Sequence, residues 1–310
     1  MIMVKEPQRI PAHSLPRGPS FQPQRRIDMS YKTILAILDT ADNSRAVADF
    51  AFAIAIAAES GAHVIGLHAE TIAAVPLVAP MEIPDPVAVQ ALQDMAHSET
   101  IAVERIFRAR AEAAGASFEW RAFATSTGYG SAPLIESARS ADLLIASQAD
   151  PARPSDSHVN VDEFLFESGR PVLIIPYVIR QPKPIKRVLI AWNGSKEATR
   201  ATFDALPILK AAEEVEIFSV DPAETATQSA TMAGAEIAAT LARHGVNVTL
   251  ATATSGDKNA SHVIENRLSD DSIDLLVMGA YTHSWLWQAI FGGTTRTLLH
   301  SMTALTLLSR

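Results

Sequence analysis

The sequence predicts an α/β fold in which a doubly wound, parallel, five-stranded sheet domain occurs twice in tandem. Three observations carry that prediction. Short runs rich in β-branched residues alternate with longer helical patterns, the order expected of strands joined by crossover helices. Runs such as "VLIIP" and "DLLVM" are apolar on both faces, as strands inside a parallel sheet must be. The chain also repeats itself. "KTILAILDTADNSRA" (32–46) matches "KRVLIAWNGSKEATRA" (186–201), and "ADLLIAS" (141–147) matches "IDLLVMG" (273–279). "LFESGRPVLIIP" (165–176) shares its apolar pattern with "LLHSMTALTLLS" (298–309), and the three matches come in the same order.

Taken along the chain, residues 1–30 read as a disordered extension. Pro7, Pro11, Pro16, Pro19 and Pro23 rule out an amphipathic targeting helix, and no apolar stretch follows Arg9, Arg17, Arg25 and Arg26 as a secretory signal requires. Met29 stands just before the first strand pattern, so translation is expected to start at Met1 or Met29. The first copy spans 31–178, with strands expected near 32–38, 62–69, 117–124, 142–147 and 171–176. Its helices are expected near 44–60, 89–114, 130–139 and 160–168. "VPLVAPMEIPDP" (75–86), with four prolines, reads as a long loop after the second strand. "IRQPKPI" (179–185) reads as an extended linker. The second copy spans 186–310, with strands near 186–192, 214–220, 246–252, 273–279 and 303–308, and helices near 196–210, 225–244, 258–268 and 293–301.

Composition removes several functions. A net charge of −8 lacks the basic footprint that nucleic acid demands. Zero cysteines exclude disulfides, thiolate metal sites and cysteine nucleophiles, which fits a reducing compartment. No run of about 18 apolar residues suits a membrane span. No dinucleotide fingerprint follows a first strand, and neither a Walker loop nor a nucleophile elbow is present. His63 and His68 sit at odd spacing on one strand, so they face opposite ways and make no metal pair.

In doubly wound sheets ligands bind beyond the carboxyl ends of strands, where the strand order reverses. The segments after the first and fourth strands are therefore the candidates. After the fourth strand of the second copy, Gly279 ends an apolar run, and Gly292-Gly293 precede a helix opening with Thr294 and Thr295. Free N–H groups and the positive dipole end at a helix start suit a phosphate. A loop that needs small residues to turn would show the same spacing.

This stretch, "LLVMGAYTHSWLWQAIFGGTTRTLL", resembles the nucleotide-binding signature of the universal stress protein family, Gly-x2-Gly-x9-Gly-(Ser/Thr). The duplicated pattern over 31–310 is similar to that family's tandem members, whose domains have a Rossmann-like α/β fold. The resemblance implies a cytoplasmic protein that binds ATP, with magnesium only as a companion of the nucleotide, and two domains packed within the chain like a dimer. Homodimerisation of the whole chain stays open. Gly279 and Gly292 take the first and third glycine positions, Thr282 replaces the second, and Gly293 stands where the family has a hydroxyl residue. Thr294 and Thr295 are placed to supply that hydroxyl, and His283 falls within the loop. The family's adenosine-facing aspartate corresponds to Asp39 in the first copy and Asn193 in the second. Ala191, Trp192, Val220 and Met278 complete the expected adenosine side. Asp39 and Asn193 would equally satisfy turn or helix-cap amides.

The copies are complementary in their losses. Counting back from the shared ending, the first copy has Ser147 for Gly279 and Val159-Asn160-Val161-Asp162 for the Gly-Gly-Thr-Thr run. Asp162 and Glu163 would repel a phosphate, so the second copy is the expected site and the first a degenerate one. Two further readings stand beside ATP binding: an interaction module that has lost the nucleotide, and an adenylating enzyme. The loops "DTADNS" and "NGSKEA" fit the last poorly. No general base is identifiable beside the loop, so no catalytic residue is assigned and any hydrolysis would be slow.

Overall fold

The computed structural model describes residues 30–58, 61–72, 85–126, 132–149, 161–222, 232–256, 259–280 and 302–310. In chain order the first half runs β1 (Thr33–Leu38), α1 (Ala41–Ala57), β2 (His63–Ile72), α2 (Pro86–Ala114), β3 (Phe118–Ser126), α3 (Ala132–Arg139), β4 (Leu143–Ser147), α4 (Val161–Glu167) and β5 (Val172–Ile175). The second runs β6 (Arg187–Ala191), α5 (Lys196–Asp204), α6 (Leu206–Ala211), β7 (Glu214–Val220), α7 (Ala235–Arg243), β8 (Val248–Ala253), α8 (Ala260–Asp270), β9 (Leu275–Gly279) and β10 (Leu305–Ser309).

The strands form one sheet in the order β3-β2-β1-β4-β5-β10-β9-β6-β7-β8. Each half is parallel and repeats the same order, with its first strand between its second and fourth. The halves meet where β5 and β10 pair antiparallel, Leu173 opposite Leu307. The two predicted five-stranded sheets are thus joined edge to edge within the chain.

Alternation along β1 explains the uniformly apolar strands. Ile34, Ala36 and Leu38 join one core layer with Phe50, Phe107 and Leu206; Leu35 and Ile37 join the other with Leu144, Phe164 and Leu276. Both faces are covered, so the strand residues on each are predominantly apolar. The first layer runs across both halves, and buried Tyr31 ties them by donating its hydroxyl to the Asp204 carbonyl, 2.7 Å away.

Two expectations are corrected. The helix predicted over 196–210 is two helices, broken at Ala205, because Pro207 occupies the first turn of α6 and has no N–H to continue α5. Of the helix predicted over 225–244, residues 225–231 lie outside the described residues, and α7 begins only at Ala235, after Gly234, whose φ of 85° a right-handed helix does not include. A Cβ at Gly234 would lie 2.8 Å from Ile217 Cγ2, so glycine serves both the turn and the close approach of β7. The helix predicted over 293–301, the N-terminal extension and most of the 75–86 loop lie outside the described residues.

Candidate functional site

The strand order reverses between β6 and β9 in the second half, so the carboxyl ends of those strands flank the crevice where ligands bind in such sheets. Ala191, last in β6, sits opposite Met278 of β9 and Phe218 of β7. Ala191 and Val220 are half-buried, Met278 is buried, and all three belong with the same core layer. Three residues predicted to contact adenosine thus share one face at adjacent strand ends. Trp192 does not join them. It packs with the opposite layer, where its Cδ1 approaches Gly234.

At the rim, Asn193 is exposed and its Oδ1 accepts the Ser195 amide at 3.1 Å. The Ser195 hydroxyl in turn accepts the Ala198 amide at 3.1 Å, capping α5. The side-chain oxygen of Asn193 is therefore committed to the turn that starts α5. Asp221, just past Val220, holds the end of β8 by accepting the Ser255 amide at 2.9 Å. Its bonds to Ser255 hold its carboxyl below the usual carboxylate range.

Gly279 has an architectural reason to be glycine. A Cβ there would stand 2.5 Å from both the Ala198 nitrogen and the Glu197 carbonyl carbon. The first turn of α5 thus crosses the end of β9 backbone to backbone, a contact that an isolated motif does not reveal. Thr282, His283, Gly292, Gly293, Thr294 and Thr295 lie outside the described residues.

In the first half the equivalent rim is built differently. Asp39 is buried at the end of β1, and beside it His68 is 3% exposed. His68 Nδ1 donates to the Leu38 carbonyl at 2.8 Å, and its ring stacks on Trp120 with centroids 6.0 Å apart. Burial pushes the imidazole below its ordinary pKa, against the opposing pull of the Leu38 carbonyl and of Asp39, Glu99 and Glu70. His63 faces away, near Ser117 and Glu119, as the odd spacing predicts. Glu99 of α2 reaches the start of α1, where it accepts the Ala41 amide at 2.6 Å. A carboxylate of the protein therefore occupies the helix start that an anion would seek. Nothing local in the sequence points to Glu99, which is 58 positions away from Ala41. Ser147 is half-buried and donates to the Gln148 carbonyl, while Asp162 and Glu163 open α4.

Among the described residues no cluster of three or more metal-ligating side chains occurs. None of their helices is long and apolar enough to cross a membrane.

No protein-family model matches the chain, and no curated protein matches it in sequence. Solved structures do. A universal stress protein from Archaeoglobus fulgidus DSM 4304 is similar with a TM-score of 0.66 at 18% identity, covering 90% of this chain and 96% of that one. A putative universal stress protein from Pseudomonas aeruginosa UCBPP-PA14 gives 0.52 at 15% identity, over 90% and 93% of the two chains. A functionally unknown protein from Pseudomonas aeruginosa PAO1 gives 0.50 at 15% identity, over 90% and 92%. Likeness of this kind establishes architecture: the chain has the universal stress protein fold, built twice along one polypeptide.

Proposed function

We propose that this chain is a tandem stress-response protein of the cytoplasm that binds an adenine nucleotide in its second half and at most hydrolyses it very slowly. The observation behind this reading is the meeting of Ala191, Val220 and Met278 at the β6–β9 switch point, immediately before the glycine-bearing segment 279–295. Their apolar surfaces fit the face of a purine, and the Gly292-Gly293-Thr294-Thr295 run offers amides and hydroxyls for phosphates. Asn193 retains its Nδ2 donors for a sugar hydroxyl while its oxygen holds the α5 turn. Magnesium would enter only with the phosphates.

A second reading is favoured by two observations. Gly279 is explained by packing against α5, and the Asn193 oxygen by a turn, so neither needs a ligand. On this reading the chain is an interaction module with an architectural remnant of the loop. Titration of ATP into wild type and Gly292→Asp separates the two. Saturable binding lost in the variant, with an unchanged melting curve, supports the nucleotide reading. No binding to wild type at millimolar ATP supports the module.

A further inference from the structure

We propose that the groove between α1 and α6 is a second binding site, for a free medium-chain fatty carboxylate. The groove has a volume of about 750 Å³, within the range of small-molecule pockets. Phe50, Ile54 and Ala57 of α1 form one wall, and Pro207 and Ile208 of α6 the other. Ile185, just before β6, and Tyr31, just before β1, close the base. It therefore opens at the amino ends of the strands, away from the carboxyl ends where the nucleotide candidate lies.

The lining selects both the body and the charge of the ligand. Its surface is mostly aliphatic, proline and aromatic carbon, which favours an apolar chain over a sugar or a phosphate. The Tyr31 hydroxyl is already committed to the Asp204 carbonyl and offers little to a polar ligand. Lys183 and Lys210 are the charged lining residues, and no carboxylate lines the groove. Lys183 is paired with Asp274 at 2.7 Å. Lys210 makes no ion pair among the described residues, so it is the uncompensated charge at the mouth. An aliphatic tail with one terminal carboxylate satisfies both features, the tail along α1 and the carboxylate at Lys210. A neutral hydrocarbon leaves the lysine unpaired, and an alkyl cation meets like charge.

Calorimetric titration of the full chain with octanoate, decanoate and dodecanoate, each below its micellar concentration, tests this. The expected result is saturable one-to-one binding that tightens by about fourfold per added methylene until the groove is filled. Ala57→Trp, which fills the groove from an exposed helix position, is expected to weaken dodecanoate by about tenfold. Lys210→Glu, at an exposed position in the last turn of α6, is expected to weaken it by about fivefold. Circular dichroism melts of both variants establish that they fold. Dodecyltrimethylammonium should bind more weakly than dodecanoate, and the order should reverse in Lys210→Glu. Absence of saturable binding to the full chain overturns the proposal, whether the groove is filled by residues 1–29 or by a second copy. So does binding that ignores chain length or survives both substitutions unchanged.

Discussion

Asp142 and Asp274 stand at equivalent points of the two halves, each just before the fourth strand of its half, and each clamps the start of the first strand. Asp142 Oδ2 accepts the amides of Lys32 at 2.8 Å and Thr33 at 2.9 Å. Asp274 Oδ2 accepts those of Lys186 at 2.9 Å and Arg187 at 3.1 Å. The repeat visible as "ADLL" and "IDLL" is thus preserved down to individual hydrogen bonds. Asp274 has one addition, the ion pair with Lys183, which anchors the proline-bearing segment between the halves.

That difference predicts unequal costs. Charged hydrogen bonds contribute about 1.5–3 kcal/mol, so Asp142→Ala and Asp274→Ala should each lower stability by about 2 kcal/mol, with Asp274→Ala the greater loss. The Asp274 carboxyl is raised by burial, but Lys183 and the Arg187 and Lys186 amides outweigh this and hold it below its ordinary value. A depressed folded pKa means the contribution is present above the unfolded carboxylate pKa, about 4. It is lost as pH falls through the folded value. Urea unfolding of wild type and Asp274→Asn at several pH values between neutrality and acid should show the two curves converging at the acid end.

Gly279 separates architecture from ligand binding. Gly279→Ala places a methyl 2.5 Å from the backbone of α5, where no rotamer change relieves it. Overpacking of this sort costs about 1–3 kcal/mol. Gly279→Ala is therefore expected to lower the melting temperature in the absence of any nucleotide. A variant that melts with wild type would return Gly279 to the role of a ligand-contacting glycine.

The fold was legible because burial on both faces leaves parallel strands almost no freedom of composition, as in the Ile34–Leu38 run. The repeat then let the strands and helices of one half be placed from those of the other. What the sequence did not reveal depends on contacts between distant elements. The α7 helix starts only after Gly234, which lies close against Ile217 of β7 and Trp192, and Glu99 reaches α1 across 58 residues. At the site, strand parity places Ala191, Val220 and Met278 together and sends Trp192 to the opposite face. The proximity of Gly279 to α5 follows from helix placement, and a loop signature carries no trace of it.

Glu99 caps α1 with a charge from another helix. Its carboxylate on the Ala41 amide faces the positive end of a 17-residue helix, together with Asp42 in the first turn. Glu99 is exposed, so solvent screens much of the interaction, and Glu99→Gln should cost no more than about 0.5 kcal/mol. Glu99→Ala also removes the acceptor and is expected to cost about 1 kcal/mol. Chemical denaturation in low and high salt distinguishes them: the deficit of Glu99→Gln should shrink with salt, that of Glu99→Ala only in part.

His68 gives the first half a pH dependence of opposite origin to that of Asp274. It is buried, neutral, and already donates Nδ1–H to Leu38, so a second proton would place a cation on Nε2 beside Trp120. Burial outweighs the acceptor and the nearby carboxylates, and the folded pKa lies below the unfolded value of about 6.5. Below that value the unfolded chain binds more protons than the folded one. Stability is therefore intact above about pH 7 and falls with pH until the folded pKa is reached, by at most about 1.4 kcal/mol per unit. His68→Gln keeps a donor for Leu38 without a titrating group. Its unfolding free energy at pH 8 should be below that of wild type, and the gap should narrow as pH falls to about 5.5. A constant gap across that range would show that His68 takes up its proton in the folded state as readily as in the unfolded chain.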